Sequence, residues 1–177
     1  MRSSTREIGF VAIFSAIIAV MAQISIPMPY GVPMTMQTLA IPLAGIVLGS
    51  KKGALSTFVY ILIGAVGIPV FAGFSGGLGV VFGKTGGFIL SFPIMALLAG
   101  MGMESGTKRR LYAGLTAGAA INYLCGMLMF IAITGSSLHT AFVGCVLPFI
   151  PTAVIKIVLS GLLGVQIKKA LKPIMQK

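Results

Sequence analysis

The sequence is almost without acid. Glu7 and Glu104 are the only carboxylates in 177 residues, which excludes the string of intramembrane acids from which a proton relay is built. Charge of either sign is scarce: 8% of the residues are charged and 57% are hydrophobic, with a mean hydropathy of +1.07. An ordinary soluble domain carries about 25% charged residues. That class is therefore excluded, and the span 1–177 is expected to form a single all-α integral membrane domain. His139, Cys125 and Cys145 have no carboxylate partner in their neighbourhood, so no catalytic constellation, metal site or cofactor is expected and the protein is not read as an enzyme. Both cysteines lie in apolar stretches and read as small core residues rather than a disulfide pair. No small-residue cleavage site leads into a polar chain, so a removable leader is not expected.

A nucleotide site is also missing, although one stretch spells part of it. "GGLGVVFGKTGG" (76–87) contains Gly83-Lys84-Thr85, the tail of a phosphate-binding loop. That loop needs a glycine five positions before the one preceding the lysine, so that backbone N–H groups wrap the phosphates in one turn. Leu78 occupies that place, with Gly77 one residue early and Gly79 one late. The dinucleotide pattern fails on Phe82, where its third glycine belongs.

What remains is a series of apolar runs. A membrane-spanning helix needs about 20 mainly apolar residues, fewer where neighbours shield it. Six transmembrane helices are expected, over 8–26, 36–48, 54–70, 85–103, 111–133 and 141–167. The first ends at "PMPYGVP", where three prolines remove donors. The second is short enough to be tilted or re-entrant. Orientation follows from the cations, since short cytoplasmic loops are enriched in them. Arg2, Arg6, Lys51, Lys52, Lys108, Arg109, Arg110, Lys168, Lys169, Lys172 and Lys177 all fall on one side of a six-span arrangement. Both termini are therefore expected to be cytoplasmic. The net charge of +11 is read as a topology signal and a contact with the lipid bilayer, not as a nucleic-acid surface.

Two cations escape this pattern. Lys84 is placed at the outer end of the fourth span, and Lys156 lies twelve residues before Lys168, roughly 18 Å at about 1.5 Å per residue. An ionised lysine at membrane depth faces a cavity or a partner, and neither glutamate reaches the outer half. The missing counter-charge is then a small external anion, most simply a carboxylate. The outward N-terminus of the fourth span would favour it, with Thr85 as a cap and Gly86 and Gly87 allowing close approach. Pro148 and Pro151 break the last span just before Lys156, where non-helical backbone is buried in protein or lines a cavity. Each reading has a plainer rival: Lys84 snorkelling to headgroups, Asn122 joining two helices rather than touching ligand, and a simple proline kink at Pro148 and Pro151 with no ligand. Ser56 and Tyr60 either line a pocket or satisfy each other. His139 reads as a solvated loop residue. Small residues at Ala12 and Ala16, and at Ser15 and Ala19, allow close helix approach, by these residues alone within the bundle.

Three stretches carry a resemblance over nearly the whole chain. "VPMTMQTLAIPLAG" (32–45), "GIPVFAGFSGGLGVVFGKTGGFILSF" (67–92) and "PFIPTAVIK" (148–156) are similar to the BioY family, the biotin-specific S components of energy-coupling-factor (ECF) vitamin transporters. The resemblance implies an S-component fold in the plasma membrane that captures biotin from outside. As partners it implies a transmembrane coupling subunit and two cytoplasmic ATPases. It places Gly73, Phe74, Gly76, Gly77, Lys84, Thr85, Gly86, Gly87 and Lys156 at the ligand, with Asn122 as a further polar candidate, and raises Ala12 and Ala16 as the contact with the coupling subunit. Many members read P-G-D-x-x-K where this chain has Pro151-Thr152-Ala153-Val154-Ile155-Lys156. Ala153 leaves Lys156 dependent on an external anion and makes lipoate, another biotin-like acid, the nearest rival ligand. A membrane scaffold whose lysines pair with another subunit's carboxylate is the rival of a different class.

Overall fold

The computed structural model describes residues 5–175; Arg2 and Lys177, counted above in the basic clusters, lie outside them. The described chain is mostly helical, with one small hairpin and a non-helical segment over 66–77 that closes on a Phe71–Ser75 bridge. Helix α1 spans Thr5–Gln23, α2 Gln37–Leu48, α3 Ser50–Ala65, α4 Leu78–Val81, α5 Gly86–Glu104, α6 Lys108–Thr134, α7 Leu138–Cys145 and α8 Ile150–Met175. Four stretches are long and apolar enough to cross a membrane: Thr5–Gln23, Gly86–Glu104, Lys108–Thr134 and Leu138–Ile174. Gln37–Leu48 is a shorter apolar helix.

The short α2 is the centre of the bundle. Every residue from Leu39 to Leu48 is buried, which is why the helix is apolar on all faces instead of along one stripe. Backbones meet closely around it because side chains have been removed. A Cβ at Gly45 would run into the carbonyl oxygen of Ala96 on α5, one at Gly53 of α3 into the backbone of Gly45, and one at Gly100 into the backbone of Ser50.

Several boundaries differ from the sequence expectation; the first helix ends at Gln23 rather than at 26, because Ser25–Ile26 enter a hairpin. The third helix begins at Ser50 and stops at Ala65, not Val70, because Gly67 turns at φ +104° and Ile68 precedes Pro69, which disfavours helix there. The following segment folds back onto the helix end, where Gly77 N–H donates to the Gly64 carbonyl at 2.7 Å. The last expected span is two helices, α7 and α8, separated by a 3-10 turn at Leu147–Phe149. Pro148 lies in that turn, whereas Pro151 sits in the first turn of α8, where its missing N–H costs nothing. The hairpin, unforeseen, pairs β1 (Ser25–Ile26) antiparallel with β2 (Met34–Thr35). Its loop carries Tyr30 at φ +68°, the ring resting where a Cβ on Gly144 of α7 would be, 2.8 Å away.

Both carboxylates are committed at one end of the bundle. Glu104 accepts from the N–H of Ser50 at 2.7 Å and from its hydroxyl at 2.9 Å, which satisfies the positive end of α3. Glu7 pairs with Lys52. Arg6 donates to the Ile174 carbonyl at 2.9 Å in the last turn of α8, closing the same end of the molecule.

Candidate functional site

At the other end of α2 lies a cavity of about 500 Å³. Its walls come from the hairpin loop (Met28, Gly31, Val32), the folded-back segment (Phe71, Ala72, Ser75), α5 (Phe88, Ile89, Phe92), α6 (Tyr123) and the turn residue Phe149. The aromatic rings brace one another. Phe88 and Tyr123 stand edge to face at 6.4 Å, and Tyr123 leans on Phe149 at 6.3 Å. Mostly apolar walls with a few fixed polar groups are what a small-molecule site requires.

The polar groups come from α2, α6 and α8. Lys156 is 9% exposed, and its ammonium donates to the Thr35 carbonyl at 2.7 Å and the Thr38 hydroxyl at 3.1 Å. The expectation that Lys156 depends wholly on an external anion is therefore corrected: two neutral protein oxygens already hold it, though no carboxylate lines the cavity. Beside it, Thr35 donates to Gln37 Oε1 at 2.9 Å, and Gln37 donates to the Tyr60 hydroxyl at 2.6 Å. Asn122, 1% exposed, donates from Nδ2 to the Phe88 carbonyl and to Ser91 Oγ, both at 2.8 Å. Lys84 differs from these. It is exposed, its ammonium lies against Gly31, and it has no ion pair among the described residues.

Of the residues singled out in the sequence, Lys84, Thr85, Asn122 and Lys156 line this one cavity. Thr85 stands at the N-cap of α5 without a side-chain capping bond. Gly73, Phe74, Gly76, Gly77, Gly86 and Gly87 are not in its lining. Gly86 and Gly87 are buried against the carbonyl oxygens of Val81 and Cys125, so their missing side chains admit protein backbone. Gly73 and Gly77 turn at positive φ, and Phe74 between them is 72% exposed. Ser56 and Tyr60 do not bond each other: Ser56 returns to the Gly53 carbonyl, and Tyr60 donates to the Val70 carbonyl. His139 is exposed in the first turn of α7 rather than in a loop.

Gln23 escaped notice in the sequence, since one amide at the end of an apolar helix carries no signal. Its Nε2 reaches the carbonyls of Val70 and Phe71 at 3.1 and 3.2 Å, and its Oε1 accepts from Phe74 N–H at 2.9 Å. One side chain thus fixes the segment that supplies Phe71, Ala72 and Ser75 to the cavity. Gln23→Leu removes all three bonds at a cost of about 1–3 kcal/mol: the Val70 and Phe71 carbonyls keep the Tyr60 hydroxyl and the Ser75 N–H as donors, and the Phe74 N–H loses its partner. Amide exchange over residues 70–75 is expected to accelerate by ten-fold or more, while exchange in α5 and α6 stays unchanged.

The BioY family profile matches residues 1–173. A probable biotin transporter BioY of Pyrococcus horikoshii is 43% identical over 151 residues, covering 85% of this chain and 89% of that protein. The biotin transporter BioY of Thermotoga maritima is 37% identical over 165 residues, covering 93% and 96%. Among solved structures, the S-component for biotin from an ECF-type ABC transporter superposes with a TM-score of 0.83 over 93% of this chain and 91% of that one, at 23% identity. The bundle described above therefore has the S-component fold.

Proposed function

The chain belongs to the BioY family, and on that premise we propose that it is the substrate-capturing S component of an ECF transporter, taking biotin from outside the cell. The observation that carries the reading is the cavity itself. A buried ammonium and two buried amides, Gln37 and Asn122, lie within it, an exposed ammonium stands at its edge, and no carboxylate lines it. Biotin is an elongated molecule with an anionic carboxylate at one end and a fused, weakly polar bicycle at the other. The bicycle goes inward against Phe71, Phe88, Phe92 and Tyr123. The carboxylate meets Lys84, which has no protein anion to compete for it.

The topology of this reading is six spans, formed by α1, α2, α3, α5, α6 and the α7–α8 pair, with both termini cytoplasmic. It is supported by the contacts at one end of the bundle, where Arg6, Lys52, Glu7 and Glu104 meet the ends of α3 and α8, since cations gather on the cytoplasmic side. The cavity lies at the opposite end of α2. Uptake against a gradient then requires partners: a transmembrane coupling subunit and two cytoplasmic ATPases.

Ligand-induced stabilisation of the purified protein tests the assignment. At biotin 100-fold above its dissociation constant, mass action adds about 2.7 kcal/mol, or roughly 5–10 °C in melting temperature for a domain of this size. Lipoate at the same concentration is expected to shift it less. No shift with biotin would refute the assignment.

A further inference from the structure

Asn122 carries more information than its burial suggests. An amide has two donors and one acceptor group, and here both donors are spent inside the protein, on the Phe88 carbonyl and Ser91 Oγ. The carbonyl of Phe88 can only accept, which fixes the side chain's orientation: nitrogen toward α5, oxygen away from it. That oxygen accepts no hydrogen bond among the described residues. No buried side-chain atom among the described residues is both sealed and unpartnered, so Oδ1 keeps an opening, and the spaces that Asn122 lines are the main cavity and the small void adjoining it. A nine-tenths buried residue thus presents one fixed acceptor to the ligand.

Lys156 is its complement. Two of its three N–H groups are used on Thr35 and Thr38, and it borders the main cavity and a small adjoining void together with Asn122 and Thr38. A fixed acceptor and a spare donor in one recess match a group that carries N–H beside C=O. Resting on the proposed function, we infer that Asn122 is the specificity-determining residue for the ligand's cyclic urea: its Oδ1 accepts one ring N–H while Lys156 donates to the ring carbonyl. A ring without N–H, such as a dithiolane, would leave Oδ1 buried and unpaired, and such a mismatch is rejected far more strongly than a missing methylene.

The test is a thermodynamic cycle between the side chain and the ring. The probes are biotin and its two cyclic carbamates, in each of which one ring N–H is replaced by oxygen at nearly unchanged size. With the unaltered protein, one of the two carbamates is expected to bind roughly 10- to 100-fold more weakly than biotin. With Asn122→Leu, biotin itself weakens by a similar factor, and biotin and that carbamate then bind within about three-fold of each other. If Asn122 only holds α6 to α5, the variant weakens all three ligands equally and the ratio persists, which overturns the inference. Equal binding of biotin and both carbamates by the unaltered protein overturns it too. Failure of that protein to bind biotin at all would instead remove the proposed function. Should Asn122→Leu not fold, Asn122→Ser is measured in the same way, since Ser91 Oγ keeps its own bonds to Gly87 and Phe88.

Discussion

Lys156→Met is expected to weaken biotin binding by 100-fold or more while leaving the unliganded protein as stable as before, or more so. The two effects share a cause. An ammonium that is 9% exposed and has no carboxylate in its cavity has lost most of its hydration, and two neutral oxygens repay only part of that loss. Methionine keeps the unbranched stem and removes the charge, so the empty site is relieved of the burden. The liganded site loses a charge-assisted hydrogen bond, and the ligand's own acceptor is left buried without a donor; together these account for about 3 kcal/mol. Lys84→Met serves as the contrast. Its side chain is exposed, so its attraction for the carboxylate is screened, is expected to amount to about ten-fold or less, and should fade with added salt. Titration calorimetry at two salt concentrations, with melting curves of the unliganded variants, distinguishes the pair. Wild-type affinity in Lys156→Met would remove the buried ammonium from the recognition scheme.

The sequence exposed this part of the site because charge is so sparse. With eleven cations assigned to one face, Lys84 and Lys156 remained, and both line the cavity. Polar groups at membrane depth are equally conspicuous, and Asn122 was found for that reason. Short-range geometry stayed hidden. Two-residue strands are too brief for an alternation to register, so the hairpin that brings Thr35 to Lys156 left no trace. Gly86 and Gly87 looked like ligand-approach glycines because sequence cannot tell which backbone comes close; it is that of Val81 and Cys125. The cluster Thr35, Gln37 and Thr38, three polar residues within four positions of an apolar stretch, was a usable signal for the polar floor. Helix ends were legible where a breaker had a mechanism, as where the second span, 36–48, stops before Gly49, and misplaced where Gly67 and Pro69 outweighed continuing hydrophobicity or where the turn at Pro148 divides one expected span into two helices.

The two small-residue ladders of α1 separate in the structure, and their separation yields the second large effect. Ser15 is buried and bonds across to the Ser56 carbonyl at 2.7 Å, with Ala19 half-buried behind it; this ladder packs α1 onto α3. Ala12 and Ala16 are exposed on the other side, beside Ile13 and Ile17. Lipid tails fit a tryptophan as readily as an alanine, whereas a helix packed against small residues does not, because their size sets how closely backbones approach. Ala16→Trp is therefore expected to reduce biotin uptake by cells carrying the complete transporter at least ten-fold, with loss of co-purifying coupling subunit. The purified protein should retain its biotin affinity, since neither Ala12 nor Ala16 lines the cavity. Ala16→Leu should fall between. If uptake by Ala16→Trp matched the unaltered protein, this face of α1 would be in contact with lipid, and the coupling subunit would have to dock elsewhere on the bundle.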